Sequence, residues 1–294
     1  MVFSLDHEGW MGIPHGGVAM TALLDLADHC WLQNKGENLI YPLEIDWRFA
    51  DAVRIGDEIS LKAVVNDDEN SLLLSMHRLG SEKIYLQGEA RLAAEVAEVD
   101  FPLLEPELLQ KMSAQHQPLA IYDNCFVCGR KRQKPGLQRR FFKFGSAGNE
   151  SPAIDEAAII VRFGGGPEGL QLASSFQQAP GTLHPGVLAA LLDELCGWSG
   201  VLADDLYGYT VRFKLHINRL PAIGEELFGM APTPVVRGRG SRKFYHPKGA
   251  LYQKKADGSL ETVAVASGQW LARDELRQQF DDTQIVEDMS GITF

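Results

Sequence analysis

Several features that mark secreted, nucleic-acid-binding or membrane proteins are scarce in this sequence. Only four cysteines occur in 294 residues, too few for the disulfide framework of a small secreted domain. Lys and Arg number 28 against 39 Asp and Glu, and the net charge of −11 argues against a general nucleic-acid binder, whose phosphate contacts need clustered cations. No run of about 18 apolar residues is expected to span a membrane.

The first residues of the chain lack the basic segment and the apolar segment of a signal peptide. We therefore expect a cytoplasmic protein with neither a nucleic acid nor a membrane as partner. A hydrophobic content of 45% and a charged content of 23% are typical of a globular protein, and the length allows two ordinary domains.

Two of the cysteines form a Cys-x-x-Cys pair, Cys125 and Cys128, which has the spacing of metal ligands. A structural zinc site needs about four ligands. No second pair of this kind and no histidine pair accompanies it in the sequence. We therefore expect a loop with two reduced thiols and no metal, with a zinc half-site or a redox pair as the alternatives.

One stretch occurs twice, at residues 12–25 (GIPHGGVAMTALLD) and 181–193 (GTLHPGVLAALLD). Each copy is typical of a Gly/Pro-rich loop that leads into a helix apolar on nearly every face, and such a helix must be buried all round. A histidine stands at the start of the helix, where free N–H groups and the helix dipole favour negative charge. The aspartate further along is costly in such a helix unless it is paired or functional.

The segments after the two copies follow the same order. After each predicted helix (18–33 and 187–202), alternating polarity and turn signals predict strands. In the first half the predicted strands are residues 41–49, a strand that follows the turn at 53–59, residues 71–77 and residues 83–92. In the second half they are residues 209–217, a strand that follows the turn at 222–227, residues 250–254 and residues 262–272. Asp193 follows Asp25 by 168 positions, and Gly224 follows Gly56 by the same 168. This constant offset predicts a tandem duplication.

The predicted fold class is therefore α+β, with each unit a long central helix and about four antiparallel strands. A helix that is apolar all round needs a sheet that wraps it. Residues 96–118 carry prolines around a short polar helix and are interpreted as a linker. This gives an N-terminal domain at 1–95 and a C-terminal domain at 119–294.

The two units resemble the hotdog superfamily and, within it, the PaaI-like acyl-CoA thioesterases. The resemblance covers most of the chain. It rests on the two loop–helix copies, on residues 124–129 (NCFVCG) and 135–137 (PGL), and on the late strand at 264–270. It implies two tandem hotdog domains, each an antiparallel sheet wrapped around a long central helix, paired as an intrachain pseudo-dimer.

The resemblance also implies the residues of the site. In this family the active site lies between two paired hotdogs. The backbone N–H after the histidine of one unit stabilises an oxyanion, and the helix of the other unit supplies a carboxylate nine residues after its own histidine. Here these groups would be His15, Gly16, Gly17 and Asp193. The carboxylate either activates water or attacks the thioester directly. Glu194, about 100° round the helix, is expected to be a salt-bridge partner.

The second copy departs from this pattern at two positions. Its site would combine His184 and Gly186 with Asp25 of the first helix. Pro185 has no N–H to offer an oxyanion. Asp25 comes ten residues after its histidine instead of nine, so Leu24 takes the family position unless the helices align with a one-residue shift. We therefore predict that only the first site works.

A basic run stands out in this acidic chain. Residues 233–256 contain no acidic residue and carry Arg237, Arg239, Arg242 and Lys243. Such a run is either a solvated strand face or a seat for the nucleotide phosphates of coenzyme A, which arginine can bind bidentately.

These observations together predict a hydrolase that cleaves a coenzyme A thioester between the two domains. Its only cofactor would be the coenzyme A of the substrate. One alternative is a hotdog hydratase or dehydratase that acts on enoyl thioesters. Another is an acyl-CoA binding module without catalysis. A homo-oligomer of the double-hotdog chain is also compatible with the sequence.

Overall fold

A computed structural model describes residues 1–66, 70–111, 116–145, 157–164, 176–178 and 181–282. In the first half, a 3₁₀ turn is followed by two short strands, a long helix and four strands. They are β1 (Glu8–Trp10), β2 (Ile13–Pro14), α1 (Gly16–Lys35), β3 (Leu43–Phe49), β4 (Ile59–Asn66), β5 (Ser71–Arg78) and β6 (Ile84–Leu92).

The rest of the chain is larger but centres on the same pattern. Its elements are α2 (Pro106–Lys111), β7 (Gln117–Pro118), β8 (Phe141–Phe144), β9 (Ala158–Phe163), α3 (Pro185–Trp198), β10 (Gly208–Ile217), β11 (Leu227–Pro232), β12 (Val235–Arg237), β13 (Phe244–His246), β14 (Lys248–Lys254), β15 (Leu260–Ala272) and α4 (Asp274–Asp282).

Most of these strands form one antiparallel sheet. Its order is β4-β5-β6-β3-β10-β15-β14-β11-β9-β8-β7, with β13 also paired to β15 and β12 to β13. The two halves join where β3 pairs with β10, from Arg48 opposite Arg212 to Leu43 opposite Ile217. Leu43, Ile45 and Trp47 alternate toward the core, as the period-two pattern predicts.

The two long helices pack against each other at their N-terminal ends. A Cβ on Gly17 would lie 2.3 Å from Cα of Ala190, and a Cβ on Gly186 would lie 2.1 Å from Oγ1 of Thr21. Only glycine allows the helices to approach this closely. The contact places the loop before each helix beside the other helix.

The burial of the two helices differs from what the sequence predicts. In α3 every residue except Glu194 and Gly197 is buried, as expected for a helix that is apolar all round. In α1 the expectation is wrong, because the buried positions form one face and Asp25 is exposed. Because Asp25 is exposed, its charge carries no large cost of burial, and that cost gives no reason to expect a function for it.

The predicted helices and strands are present within a few residues of their expected bounds. The strands β7, β8, β9, β12 and β13 were missed, and β7, β8 and β9 extend the sheet beyond the repeat. Residues 96–118 include α2, as expected, but Leu104 and Leu109 pack against β8, β9 and β11 in a second small core. The division of the chain at 95 and 118 stays a prediction.

Among the described residues, one helical stretch, Pro185–Leu202, is long and apolar enough to cross a membrane, with mean hydropathy 1.2. This corrects the expectation that no such run exists. About 78% of the stretch is buried inside the fold, as in the central helix of many globular proteins.

Candidate active site

The loop before α1, the helix α3 and the start of β10 line a cavity of about 170 Å³, which we call the cleft. Residues from both halves of the chain line it, among them His15, Gly16, Asp193 and Glu194. Much of the remaining wall is aromatic and comprises Trp10, Tyr122, Trp198, Tyr207, Tyr209, Tyr245 and Trp270. The structure thus brings together the four residues predicted for the first site, since Gly17 follows Gly16 directly.

His15 is buried and caps α1. Its backbone is extended (φ −61°, ψ 133°), and the Gly17 N–H donates to Nδ1 at 2.9 Å. Nε2 lies 3.0 Å from Oε2 of Glu194. Because Nδ1 accepts a hydrogen bond, the neutral ring carries its proton on Nε2 and donates it to Glu194.

Burial lowers the pKa of His15, but the Glu194 hydrogen bond and the negative charges of Cys125, Glu194 and Asp193 outweigh burial and raise it to about 9. A second proton on the ring would sit on Nδ1, which lies 3.6 Å from Oδ2 of Asp193. The imidazole is therefore held between two carboxylates of α3.

Asp193 is the buried carboxylate of the cleft. Its Oδ1 accepts a hydrogen bond from the Thr210 hydroxyl at 2.8 Å. Burial raises its pKa, and the charge of His15 and the Thr210 hydrogen bond oppose this rise only in part. Its Oδ2 lies so close to Gly16 that a Cβ there would be 2.7 Å away. Glycine thus leaves room for the carboxylate at the end of α1.

Glu194 faces away from Asp193 and acts as the predicted salt-bridge partner. Its Oε1 accepts from Trp198 Nε1 at 3.0 Å and lies 3.8 Å from Sγ of Cys125. Burial would raise the pKa of Glu194, but the hydrogen bonds from His15 and Trp198 and the charge of His15 lower it overall.

The Gly16 N–H is the first free amide of α1. Among the described residues no group accepts a hydrogen bond from it, and Gly16 lines the cleft. A free N–H at the positive end of a twenty-residue helix is suited to bind an anion. The cleft therefore brings together a free helix N-terminal N–H and a buried carboxylate.

The second copy forms the same cap with different neighbours. The Gly186 N–H donates to Nδ1 of His184 at 3.0 Å, and Nε2 of His184 lies 2.7 Å from Oδ1 of Asp25. Asp25 therefore occupies the place that Glu194 has at the first copy. Leu24, which is fully buried, stands in the place of Asp193.

This arrangement decides the alignment of the two helices. Residues with the same contacts differ by 169 positions, as for Gly17 and Gly186 or Thr21 and Ala190. The offset of 168 that paired Asp25 with Asp193 is wrong, although it still relates Gly56 to Gly224. The second copy thus has Pro185 where the first has the Gly16 N–H, and leucine where the first has Asp193.

The basic residues predicted to bind phosphates lie at the edge of this region. Arg237 ends β12, while Arg239 and Arg242 flank a 3₁₀ turn, and all three are exposed. Lys243 lies 3.5 Å from Asp204. None of the four lines the cleft, but Tyr245, two residues further on, does.

Sequence reasoning missed the contribution of Thr210, Cys125 and Cys128 to this site. The sequence places Cys125 far from the first histidine, and only folding brings its sulfur beside Glu194. Thr210 faces α3 at the start of a strand, where a single hydroxyl gives no pattern to detect.

No family model matches the chain, and no curated protein matches its sequence. Solved structures match over most of its length. A candidate thioesterase from Novosphingobium aromaticivorans is 13% identical, with TM-score 0.58, over 93% of this chain and 94% of that one. A candidate thioesterase II from Thermobifida fusca is 14% identical, with TM-score 0.58, over 93% and 91%.

A hot dog fold protein of unknown function from Alicyclobacillus acidocaldarius is 18% identical, with TM-score 0.55, and covers 92% of this chain and 90% of its own. These matches, together with the antiparallel sheet and its central helices, show that the chain has the hotdog fold. At such identities the likeness concerns the fold alone.

Proposed function

We propose that this protein is an acyl-CoA thioesterase of the PaaI-like type, built as two hotdog units paired within one chain. The continuous sheet through β3 and β10 and the contact between α1 and α3 support the pairing. The observation that carries the function is the meeting of the free Gly16 N–H and the buried Asp193 carboxylate in one cleft.

The chemistry of thioester hydrolysis fits these two groups. Attack on the thioester carbonyl puts negative charge on its oxygen, and a preorganised N–H at a helix N-terminus stabilises that charge. Asp193 either takes a proton from a water that attacks the carbonyl carbon, or attacks that carbon itself to give an anhydride that water then opens; in both routes the C–S bond breaks and the coenzyme A thiolate leaves and is protonated. Its burial raises its pKa and so makes it a stronger base than an exposed aspartate.

The environment of His15 favours hydrolysis over hydration or dehydration. A dehydratase histidine must exchange a proton with the substrate. Both ring nitrogens of His15 face groups of the protein: Nε2 faces Glu194, and Nδ1 accepts from Gly17 in the neutral ring and faces Asp193 when it is protonated. His15 is therefore assigned as a positioning residue that orients the start of α1.

The coenzyme A moiety is proposed to leave the cleft past Tyr245 toward Arg239 and Arg242, which carry positive charge for its phosphates. No further cofactor is needed for this reaction. The cytoplasmic location, the absence of nucleic-acid and membrane partners, and a homo-oligomer of the chain stay predictions.

The test is a thiol-release screen with saturated acyl-CoAs and enoyl-CoAs, followed by the same assay on Asp193→Asn. We expect free thiol from the wild type and a loss of at least about 10²-fold in the variant. A change in enoyl absorbance without thiol release would indicate hydration, and tight coenzyme A ester binding without turnover would indicate a binding module.

A further inference from the structure

In the wall of the cleft, three potential metal ligands from three separate segments converge. His15, Cys125 and Glu194 each offer one ligand atom, and these atoms all lie within 4.8 Å of one another. The thiol of Cys128 interacts with both Cys125 and Glu194. Residues far apart in sequence thus bring one sulfur, one imidazole nitrogen and one carboxylate together, with the second sulfur of the same loop beside two of them.

The Cys125 loop is shaped to hold a charged sulfur. The N–H groups of Val127 and Cys128 point at Sγ of Cys125, at 3.4 and 3.5 Å. The Gly129 N–H closes the turn on the Cys125 carbonyl at 2.8 Å. Two amides aimed at one sulfur stabilise the negative charge that a metal-bound cysteine carries.

The distances suit a tetrahedral ion. Zinc bonds of about 2.0–2.3 Å at tetrahedral angles place neighbouring ligand atoms about 3.3–3.8 Å apart. Here Nε2 of His15 and Oε2 of Glu194 are 3.0 Å apart, and Sγ of Cys125 is 3.8 Å from Oε1 of Glu194. The separation between Cys125 and Glu194 lies within this range, and the separation between His15 and Glu194 falls slightly below it.

We propose that Cys125, Cys128, His15 and Glu194 form a zinc site that ties the Cys125 loop and the start of α1 to α3. The donor set of thiolates, imidazole and carboxylate is one that Zn²⁺ prefers. With four protein ligands the site is closed, so its role is structural. Zinc with these ligands carries about one net negative charge, and the cation Arg132 interacts with both sulfurs.

In this zinc site Asp193 would also accept a hydrogen bond from the histidine ligand. Zinc binding at Nε2 of His15 moves the ring proton to Nδ1, which lies 3.6 Å from Oδ2 of Asp193. A histidine ligand that donates its other N–H to a carboxylate is the usual arrangement around zinc. The Gly17 N–H, which also interacts with Asp193, then keeps that carboxylate as its acceptor.

The experiment measures zinc and needs no substrate, so that its outcome is independent of the thioesterase assay. Full-length protein is reconstituted with Zn²⁺ under reducing conditions, freed of excess metal and analysed by mass spectrometry for zinc per chain. We expect about one zinc per chain in the wild type and more than about 100-fold weaker zinc binding in Cys125→Ser and Cys128→Ser.

Two further variants sharpen the test. Cys30→Ser removes a thiol on α1 outside the cluster and should keep the wild-type zinc content. Asp193→Asn should weaken zinc binding by about 10–100-fold, as loss of an outer partner does. Cobalt in place of zinc should give a sulfur-to-cobalt absorption band that each cluster cysteine variant weakens.

The wild type alone also decides the question if a cysteine variant does not fold. A chelator should lower its thermal midpoint and added zinc should restore it. Reduced wild-type protein that takes up no zinc would overturn the proposal. Equal zinc binding by Cys125→Ser and Cys30→Ser would overturn it as well.

Discussion

The Gly16 amide offers a test in which one N–H is removed from the protein. We predict that Gly16→Pro lowers kcat by about 10²–10³-fold, which corresponds to about 2.7–4 kcal/mol of transition-state stabilisation. Proline is favoured at the first position of a helix, because its fixed φ suits the helix and the N–H that it lacks has no partner within the helix. Folding should therefore be preserved.

The second copy of the motif shows that the exchange is compatible with the fold. His184 precedes Pro185 with φ −65° and ψ 135°, and His15 precedes Gly16 with φ −61° and ψ 133°. An extended residue is what a following proline requires. The thermal midpoint of Gly16→Pro should thus lie within a few degrees of the wild type.

The added proline side chain also crowds the Asp193 carboxylate, and Gly16→Ala is the control for this effect. Both substitutions add a Cβ about 2.7 Å from Oδ2 of Asp193, so both displace the carboxylate. Only proline also removes the N–H. Gly16→Ala should therefore retain at least about 10²-fold more activity than Gly16→Pro in the thiol-release assay. Equal losses in the two variants would refute an oxyanion role for this amide.

Four further expectations concern the carboxylates, the ligand count, the basic run and the acyl group. Asp193→Asn should lose at least about 10²-fold in turnover, because it removes the carboxylate that acts on water or on the thioester, whereas Asp25→Asn should change turnover less than about twofold; equal losses would contradict two unequal sites. Calorimetry should find about one non-hydrolysable acyl-CoA analogue per chain, and two equivalent ones would contradict the loss of the second site. Replacing Arg239 and Arg242 with alanine should raise KM for coenzyme A esters but not for pantetheine esters, which lack the nucleotide phosphates, and a similar change for both would show that the run is only a solvated face. A cleft of about 170 Å³ with aromatic walls should accept an acyl group with one aromatic ring, since a cavity of about 150 Å³ holds benzene; a higher kcat/KM for long-chain esters would contradict this.

The elements that the sequence predicts well are those fixed by local patterns. The two loop–helix copies carry a histidine cap, small residues and apolar runs, and β3 and β10 alternate clearly. The strands β8 and β9 near one end of the sheet were missed because they are short, and β9 is buried at every position except one, so no alternation marks it.

Site residues could be predicted where they follow from spacing along the sequence, and they could not be predicted where they follow from contacts between distant segments. Asp193 was found from its distance to a histidine. The equivalence of Asp25 with Glu194 was not, because matching residue types align Asp25 with the other aspartate, Asp193, and only the contacts with the two histidines show the correct register. The Cys125 sulfur joins the cluster through tertiary contact alone.

The close approach of the two helix starts within a single chain has a consequence for how this protein can change. In a symmetric homodimer every substitution appears at both copies of the interface, so neither copy can lose a group alone. Here each copy is encoded separately. The second site has Leu24 in place of a carboxylate and Pro185 in place of an amide N–H, while the first site keeps Asp193 and Gly16. The second site can therefore serve only to pack the two helices together, while the first site keeps a buried charge within that packing.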